Sequence, residues 1–129
     1  ELFRFHLFSS TVAAERLDGS SLFVEKFIIE PARSPVTRPG VMQGFDVFGN
    51  VLLLTPPAIA DVVAKQAASD WNEAEGWAAG VGRLPHDAGL VYKIVGRDSA
   101  IVRTKIREFW SIVRPAVCGL PVPREFAWR

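Results

Sequence analysis

The dipeptide Asp18-Gly19 separates two runs of strand-like sequence, which commits this part of the chain to antiparallel pairing. Glycine supplies the positive φ that a tight primed turn requires, so Asp-Gly between apolar runs is a strong hairpin signal. The first run covers Thr11 to Leu17, after an earlier strand-like stretch from Leu2 to Phe8, and the second covers Leu22 to Ile29. We therefore predict a β-hairpin with its turn at Asp18-Gly19.

The β pattern resumes after a proline-rich loop and then changes to helical spacing. Val41 to Leu54 is β-like, with Gly44 and Gly49 predicted as bends or bulges. After Pro56-Pro57 the apolar residues recur at helical spacing, which predicts a helix from about Ala58 to Asn72. Asp61 and Lys65 have the i,i+4 spacing that supports such a helix.

The second half of the chain contains two further strand-like segments and a second helix. Gly76 to Gly82 is broken by glycines, whereas Gly89 to Gly96 is a clear strand. Asp98 or Ser99 is predicted to cap the helix, and Pro115 and Gly119 are predicted to end it. The helix carries an apolar stripe made of Val102, Ile106, Phe109, Trp110 and Val113.

The order of these elements predicts the fold class. Several strands, one helix, two strands, one helix and an extended tail from Leu120 to Arg129 favour a mainly β, antiparallel fold with two packed α-helices. A length of 129 residues fits one core, and no repeat or linker divides the chain, so residues 1–129 are predicted to form a single domain. Because the chain starts with Glu1 inside a strand-like run, we expect an upstream portion in the natural protein.

Charge, hydropathy and cysteine usage exclude several classes of function. The chain has 15 basic and 14 acidic residues, so it lacks the bulk positive field of most nucleic-acid binders. No apolar run approaches the roughly 18 residues of a membrane span, so no membrane partner is expected. The single cysteine, Cys118, cannot form an internal disulfide, which fits a reducing compartment and predicts a cytoplasmic protein.

His86 and Asp87 are the residues that most resemble a catalytic or metal-binding pair. An imidazole next to a carboxylate can contact a metal or move a proton, but two adjacent groups without a third are a weak signal. The sequence favours a polar turn here. A small hydrolase or lyase that uses His86 and Asp87 remains an alternative.

Two carboxylates interrupt apolar strands. Glu25 lies between Phe23 and Phe27 on one strand face, and an inward carboxylate costs several kcal/mol unless a partner or a water-filled passage receives it. The sequence favours the other interpretation, an edge strand on which Glu25 and Lys26 stay in water and discourage further pairing. Asp46, within the run from residue 45 to residue 48, poses the same question.

One face of the second predicted helix combines arginine with tryptophan. Arg103, Arg107 and Arg114 share a face opposite the apolar stripe, and Trp110 borders it. Arginine and tryptophan are enriched at the hot spots of protein interfaces, so this face is a candidate partner surface. A solvated face beside a core tryptophan is the alternative, and three arginines are too few to indicate nucleic acid.

An ordered set of segments resembles the C-terminal part of the urease accessory protein UreD family, also called UreH. The segments are residues 16–19 (RLDG), 25–31 (EKFIIEP), 80–85 (GVGRLP), 89–96 (GLVYKIVG) and 109–119 (FWSIVRPAVCG), with Pro123-Arg124 and Trp128 behind them. The chain departs from the family at Lys93, where arginine is common, and in the wider spacing of Arg124 and Trp128. The resemblance covers most of the chain, and it identifies the chain as a C-terminal portion of a longer UreD-like protein.

The resemblance implies a urease maturation factor and not an enzyme. Such a scaffold, or metallochaperone, acts with a UreF-type protein and the UreG GTPase, engages apo-urease and helps to deliver nickel, which is a transient cargo and not a permanent cofactor. It also implies a solenoid-like stack of sheets with two helices. Glu25, Asp46 and His86 then become candidates for transient metal contact, and the Arg103, Arg107, Trp110 and Arg114 face becomes a candidate partner interface. A purely structural β interaction module is a further alternative.

Overall fold

The computed structural model describes residues 4–39, 41–67 and 69–123. Six strands and two helices follow one another in these ranges. They are β1 (Phe8–Glu15), β2 (Ser21–Ile29), β3 (Val47–Leu54), α1 (Pro57–Gln66), β4 (Asp70–Asn72), β5 (Trp77–Arg83), β6 (Gly89–Gly96) and α2 (Ser99–Cys118). A short turn, Pro85–Asp87, connects β5 to β6.

Strands β1 and β2 form the predicted antiparallel hairpin. Their register places Val12 opposite Glu25 and Phe8 opposite Ile29, the last residue of β2. The strand predicted from Leu2 to Phe8 is wrong for residues 4–7, which precede β1, while residues 1–3 lie outside the described ranges. Because β2 ends opposite Phe8, it offers no pairing partner to the residues before Phe8.

The hairpin turn is wider than the predicted two-residue turn. The Gly19 N–H donates to the Arg16 carbonyl at 2.9 Å, and the Arg16 N–H donates to the Ser20 carbonyl at 2.8 Å. Gly19 has a φ of 84°, whereas Leu17 and Asp18 keep negative φ values, so the primed turn is wrong and a wider turn ending in a left-handed glycine replaces it. The Ser20 hydroxyl and backbone N–H both donate to Asp18, and these hydrogen bonds lower the pKa of its carboxyl.

The other four strands form an antiparallel sheet in the order β3-β6-β5-β4. Along β6, Leu90, Tyr92 and Ile94 are buried in the core cluster that the helices share, and Lys93 projects from the opposite face. The hairpin lies on that opposite face, where Glu25 contacts Lys93. The mainly β, antiparallel class with two helices is confirmed, and the solenoid-like stacking stays a prediction.

Strand β3 begins at residue 47 rather than at residue 41. Residues 41–44 form turns in which Gln43 and Gly44 have φ values of 48° and 83°, so the predicted bend at Gly44 is confirmed. The predicted bulge at Gly49 is wrong, because Gly49 pairs with Ile94 within a regular ladder. Its lack of a side chain has another cause: a Cβ on Gly49 would lie 3.0 Å from Val102 of α2.

Helix α1 is shorter than the sequence predicts. It ends at Gln66 instead of Asn72, and residues 70–72 form the edge strand β4. Pairing with β5 satisfies backbone groups of this segment, which outweighs the helical spacing of its side chains. Asp61 forms an ion pair with Arg83 of β5, and this cross-element pair replaces the predicted pair with Lys65.

Helix α2 starts and ends at local signals. The Ile101 N–H donates to the Asp98 carboxylate at 2.9 Å, so Asp98 is the N-cap, and Gly119 ends the helix with a φ of 66°. Pro115 lies inside the helix and does not stop it, because α2 runs on to Cys118, so the predicted stop at Pro115 is wrong. Within the described ranges, neither helix is long and apolar enough to cross a bilayer.

The core lies between the two helices and the four-stranded sheet. The rings of Tyr92 and Phe109 stack with their centres 4.4 Å apart and their planes 3° apart. Burial raises the pKa of Tyr92 to about 12, and the nearby Glu108 carboxylate adds to the shift. The buried cluster consists of Ala60, Val63, Ala67, Leu90, Tyr92, Ile94, Val102 and Phe109.

Candidate functional site

Glu25 lies on the face of β2 that is turned toward the four-stranded sheet. Phe23 and Phe27 share this face; Phe23 is buried, and the Phe27 ring meets the ring of Phe48 on β3 edge-on with 5.3 Å between centres. The Glu25 side chain is 22% exposed. Of the two orientations considered for Glu25, the structure shows the inward one, between two sheets.

Both carboxylate oxygens of Glu25 have partners on the opposite sheet. The Lys93 ammonium of β6 lies 2.5 Å from Glu25 Oε1, and the Asn50 amide of β3 donates to Glu25 Oε2 at 3.3 Å. We call Glu25, Asn50 and Lys93 the inter-sheet cluster. It gives a carboxylate flanked by phenylalanines two polar partners, because a cation and an amide replace part of the water that burial removes.

The inter-sheet cluster offers only a few oxygen atoms that a metal ion could contact. Glu25 contributes a carboxylate, and Asn50 contributes an amide oxygen if the amide group rotates. Within residues 4–39, 41–67 and 69–123, no three His, Cys, Asp or Glu side chains are grouped so that they could hold a metal ion. A site with so few oxygen ligands would hold a divalent ion weakly.

The other two candidate metal contacts lie apart from this cluster. Asp46 is exposed just before β3, where its backbone N–H donates to the Gly96 carbonyl at 3.1 Å. His86 is exposed in the turn that joins β5 to β6. The structure therefore does not gather Glu25, Asp46 and His86 into one group, and their roles in metal contact stay predictions.

His86 and Asp87 adopt left-handed backbone conformations, with φ values of 57° and 51°. Both side chains are exposed, and in the described part of the chain no third His, Cys, Asp or Glu joins them as a potential ligand. This geometry fits the polar turn that the sequence favours. It offers no enclosed site for the hydrolase or lyase alternative.

The arginine face of α2 divides into an exposed part and a half-buried part. Arg103 and Arg107 are exposed, whereas Arg114 and Trp110 are half-buried. The Arg114 guanidinium lies 5.1 Å from the centre of the Trp110 ring, a distance at which cation–π attraction operates. The Arg114 Nε atom is buried without a hydrogen-bond partner among the described residues. The face thus presents two exposed cations beside an ordered Arg-Trp pair.

A concave surface that the sequence did not predict lies at the β4 edge. A cleft of about 460 Å³ is bordered by Phe45, Trp71, Trp77 and Arg97, among other residues. Trp71 is 76% exposed because it lies on β4 and not on the buried side of a longer helix. The Arg97 guanidinium donates to the Glu73 carbonyl at 2.9 Å, which fixes one wall of the cleft.

Sequence reasoning also missed the partners of Glu25. A signal for them exists, since Lys93 is the one charged residue in the apolar run from Gly89 to Gly96, and Asn50 interrupts the apolar strand β3. Polar groups within such strands require partners. The choice of partner could not be read from the sequence, because Glu25 is 25 positions from Asn50 and 68 from Lys93.

Comparison with known proteins supports the resemblance to the UreD family. The family model described as UreD urease accessory protein matches residues 1–129. A urease accessory protein UreD 2 of Brucella suis biovar 1 is 48% identical over 128 residues, which are 99% of this chain and 42% of the relative. A urease accessory protein UreD of Yersinia pseudotuberculosis is 46% identical over 129 residues, which are 100% of this chain and 40% of the relative. The chain thus spans about two-fifths of the length of these relatives and matches their C-terminal part.

Proposed function

Because the chain belongs to the UreD urease accessory protein family, we propose that it acts in urease maturation as a scaffold that helps to deliver nickel to apo-urease. In this proposal residues 1–129 form a single domain, the C-terminal portion of a longer cytoplasmic UreD-like protein. The protein works together with a UreF-type protein and the UreG GTPase, and it catalyses no reaction of its own. Nickel is its cargo, and no cofactor is permanently bound.

The inward position of Glu25 is the observation that carries the nickel part of the proposal. A half-buried carboxylate between two sheets is unfavourable for stability alone, since apolar residues of similar size pack there without desolvating a charge. A protein that passes a divalent cation through its interior has a use for such a group. Asp46 and His86, which are exposed, would contact the ion before or after the inter-sheet cluster.

The exposed arginines of α2 support the partner part of the proposal. Arg103 and Arg107 project from a helix whose opposite stripe is fixed in the core by Val102 and Phe109, so they are held on a rigid element. Exposed cations on a rigid face attract an acidic partner surface and set its orientation. The Arg114–Trp110 pair lies next to them and supplies the half-buried aromatic anchor that interface hot spots contain.

Urease activation by the full-length protein tests the nickel part. We expect Glu25→Ala to lower the activity of reconstituted urease severalfold, with smaller effects from Asp46→Ala and His86→Ala. Glu15→Ala is the matched control, because Glu15 is an exposed carboxylate on the same hairpin. If Glu25→Ala and Asp46→Ala both activate urease as well as the parent protein does, the nickel role of these carboxylates is wrong.

Binding to purified UreF-type protein, UreG and apo-urease tests the partner part. A double charge reversal, Arg103→Glu with Arg107→Glu, is expected to weaken binding to one of these proteins at least tenfold. Arg33→Glu serves as the control, since the Arg33 side chain is 84% exposed on a loop remote in sequence from α2. Equal binding by both variants would show that the arginine face of α2 is not the interface.

A further inference from the structure

The inter-sheet cluster already contains a cation. Lys93 Nζ lies 2.5 Å from one carboxylate oxygen of Glu25, and Asn50 holds the other oxygen. A metal ion that binds Glu25 therefore meets an occupied carboxylate. Because an ammonium and a divalent cation repel each other strongly at such distances, the two cannot share the same oxygen at full strength.

We propose that Lys93 is a displaceable counter-ion of Glu25, which pairs with the carboxylate when no metal is present and competes with the divalent ion that passes. This inference rests on the proposed function, in which a divalent cation contacts Glu25. Its content is that Lys93 limits how long the ion stays. The competing ammonium weakens binding and favours release.

The surroundings of Lys93 allow it to leave and return. Its side chain is 57% exposed, whereas that of Glu25 is only 22% exposed, so the ammonium can turn toward water while the carboxylate stays between the sheets. Lysine carries one strongly hydrated charge on a flexible stem, unlike the planar, bidentate arginine. The partner that moves is therefore Lys93.

Asn50 can adjust to the replacement of Lys93 by a metal ion through rotation of its side chain alone. It now donates from Nδ2 to Glu25 at 3.3 Å, a long hydrogen bond. A rotation of the amide group would turn its oxygen toward an incoming cation, which would then have a carboxylate and an amide oxygen as ligands.

Nickel binding by the full-length protein, measured by calorimetry with Ni²⁺ alone at fixed ionic strength, tests this inference. We expect Lys93→Met to bind nickel about three to ten times more tightly than the matched control Lys26→Met. Lys26 is exposed on the same hairpin and points away from the cluster, so this control removes the same charge from the opposite face. Lys93→Gln provides a second, polar variant in case the methionine disturbs folding.

Combining Lys93→Met with Glu25→Gln tests whether the gain in nickel affinity arises at the Glu25 carboxylate. This double variant should show no gain. Equal affinities of Lys93→Met, Lys93→Gln and Lys26→Met would overturn the inference, and so would a gain that persists without the Glu25 carboxylate. Urease activation separates this outcome from failure of the proposed function. If Glu25→Ala lowers activation but the lysine variants bind nickel equally, only the role of Lys93 is wrong; if Glu25→Ala has no effect on activation, the nickel part of the proposed function is wrong.

Discussion

Gly49 of β3 lies so close to Val102 of α2 that a Cβ on Gly49 would come within 3.0 Å of Val102 Cγ1. The same Cβ would lie 3.1 Å from Ile106 of α2 and 3.2 Å from Ile94 of β6. Helix α2 therefore packs directly on the backbone of β3. This close approach explains why an apolar strand carries glycine in a regular ladder.

Gly49→Ala is expected to destabilise the protein by about 1–3 kcal/mol, because three packed side chains must move to admit the methyl group. Chemical denaturation of the full-length protein measures the effect. Gly80→Ala on β5 is the control, since its nearest neighbour, the Ser69 hydroxyl, would lie at an ordinary 3.7 Å. Equal stability of the two variants would contradict the close packing of α2 on β3.

Asp98→Ala is expected to lower stability by about 0.5–2 kcal/mol through loss of the N-cap of α2. The Asp98 carboxylate accepts the Ile101 N–H at 2.9 Å, and alanine would leave that donor to water. Ser99→Ala, one position further along, removes a hydroxyl but not the cap. A thermal melt in which both variants shift by the same amount would refute the assignment of the cap to Asp98.

The ion pair between Asp61 and Arg83 is expected to contribute about 0.2–1 kcal/mol, because both side chains are about half exposed. A double-mutant cycle of Asp61→Ala and Arg83→Ala measures this coupling free energy. The parallel cycle with Lys65→Ala should give a value near zero. A larger coupling of Asp61 to Lys65 than to Arg83 would support the predicted Asp61–Lys65 pair within helix α1.

Tyr92 makes stability depend on alkaline pH. Its pKa is raised from 10.0 to about 12, so the folded state favours the neutral phenol, and this contribution is complete below pH 10 and lost as the pH rises toward 12. By pH 11 the loss is on the order of 1 kcal/mol. Tyr92→Phe lacks it, so the stability of the parent protein should fall relative to this variant between pH 9 and pH 11. If the stabilities of the parent protein and Tyr92→Phe change in parallel with pH, the burial of the Tyr92 phenol is contradicted.

The 129-residue chain by itself is expected to self-associate through its hairpin. Val24 and Ile28 are 63% and 57% exposed on the outer face of β2, and among the described residues β1 and β2 pair only with each other. Open strand edges beside apolar side chains promote association. Val24→Thr with Ile28→Thr should shift light-scattering masses toward the monomer, whereas Val62→Ala on α1 should not. A monomeric parent chain at high concentration would contradict this expectation.

Local signals were sufficient where the chemistry involves neighbours in the chain. Asp18-Gly19 predicted the hairpin, the run from Gly89 to Gly96 predicted β6, and Asp98 predicted the start of α2. Each signal depends on backbone conformation or on a hydrogen bond that spans at most four residues. The ordered segments also predicted the UreD family, which the family match confirms.

Tertiary contacts decided the remaining features. Trp71 has helical spacing in the sequence, yet pairing with β5 turns its segment into an edge strand, since a backbone ladder outweighs weak local propensity. The sequence favoured a Glu25 that faces water, and this prediction is wrong because the fold brings Asn50 and Lys93, 25 and 68 positions away, to its carboxylate. Residue order alone therefore determined the hairpin, β6, the start of α2 and the family. The surroundings of the half-buried Glu25 carboxylate came instead from packing two sheets face to face, because such contacts join residues that no local pattern connects.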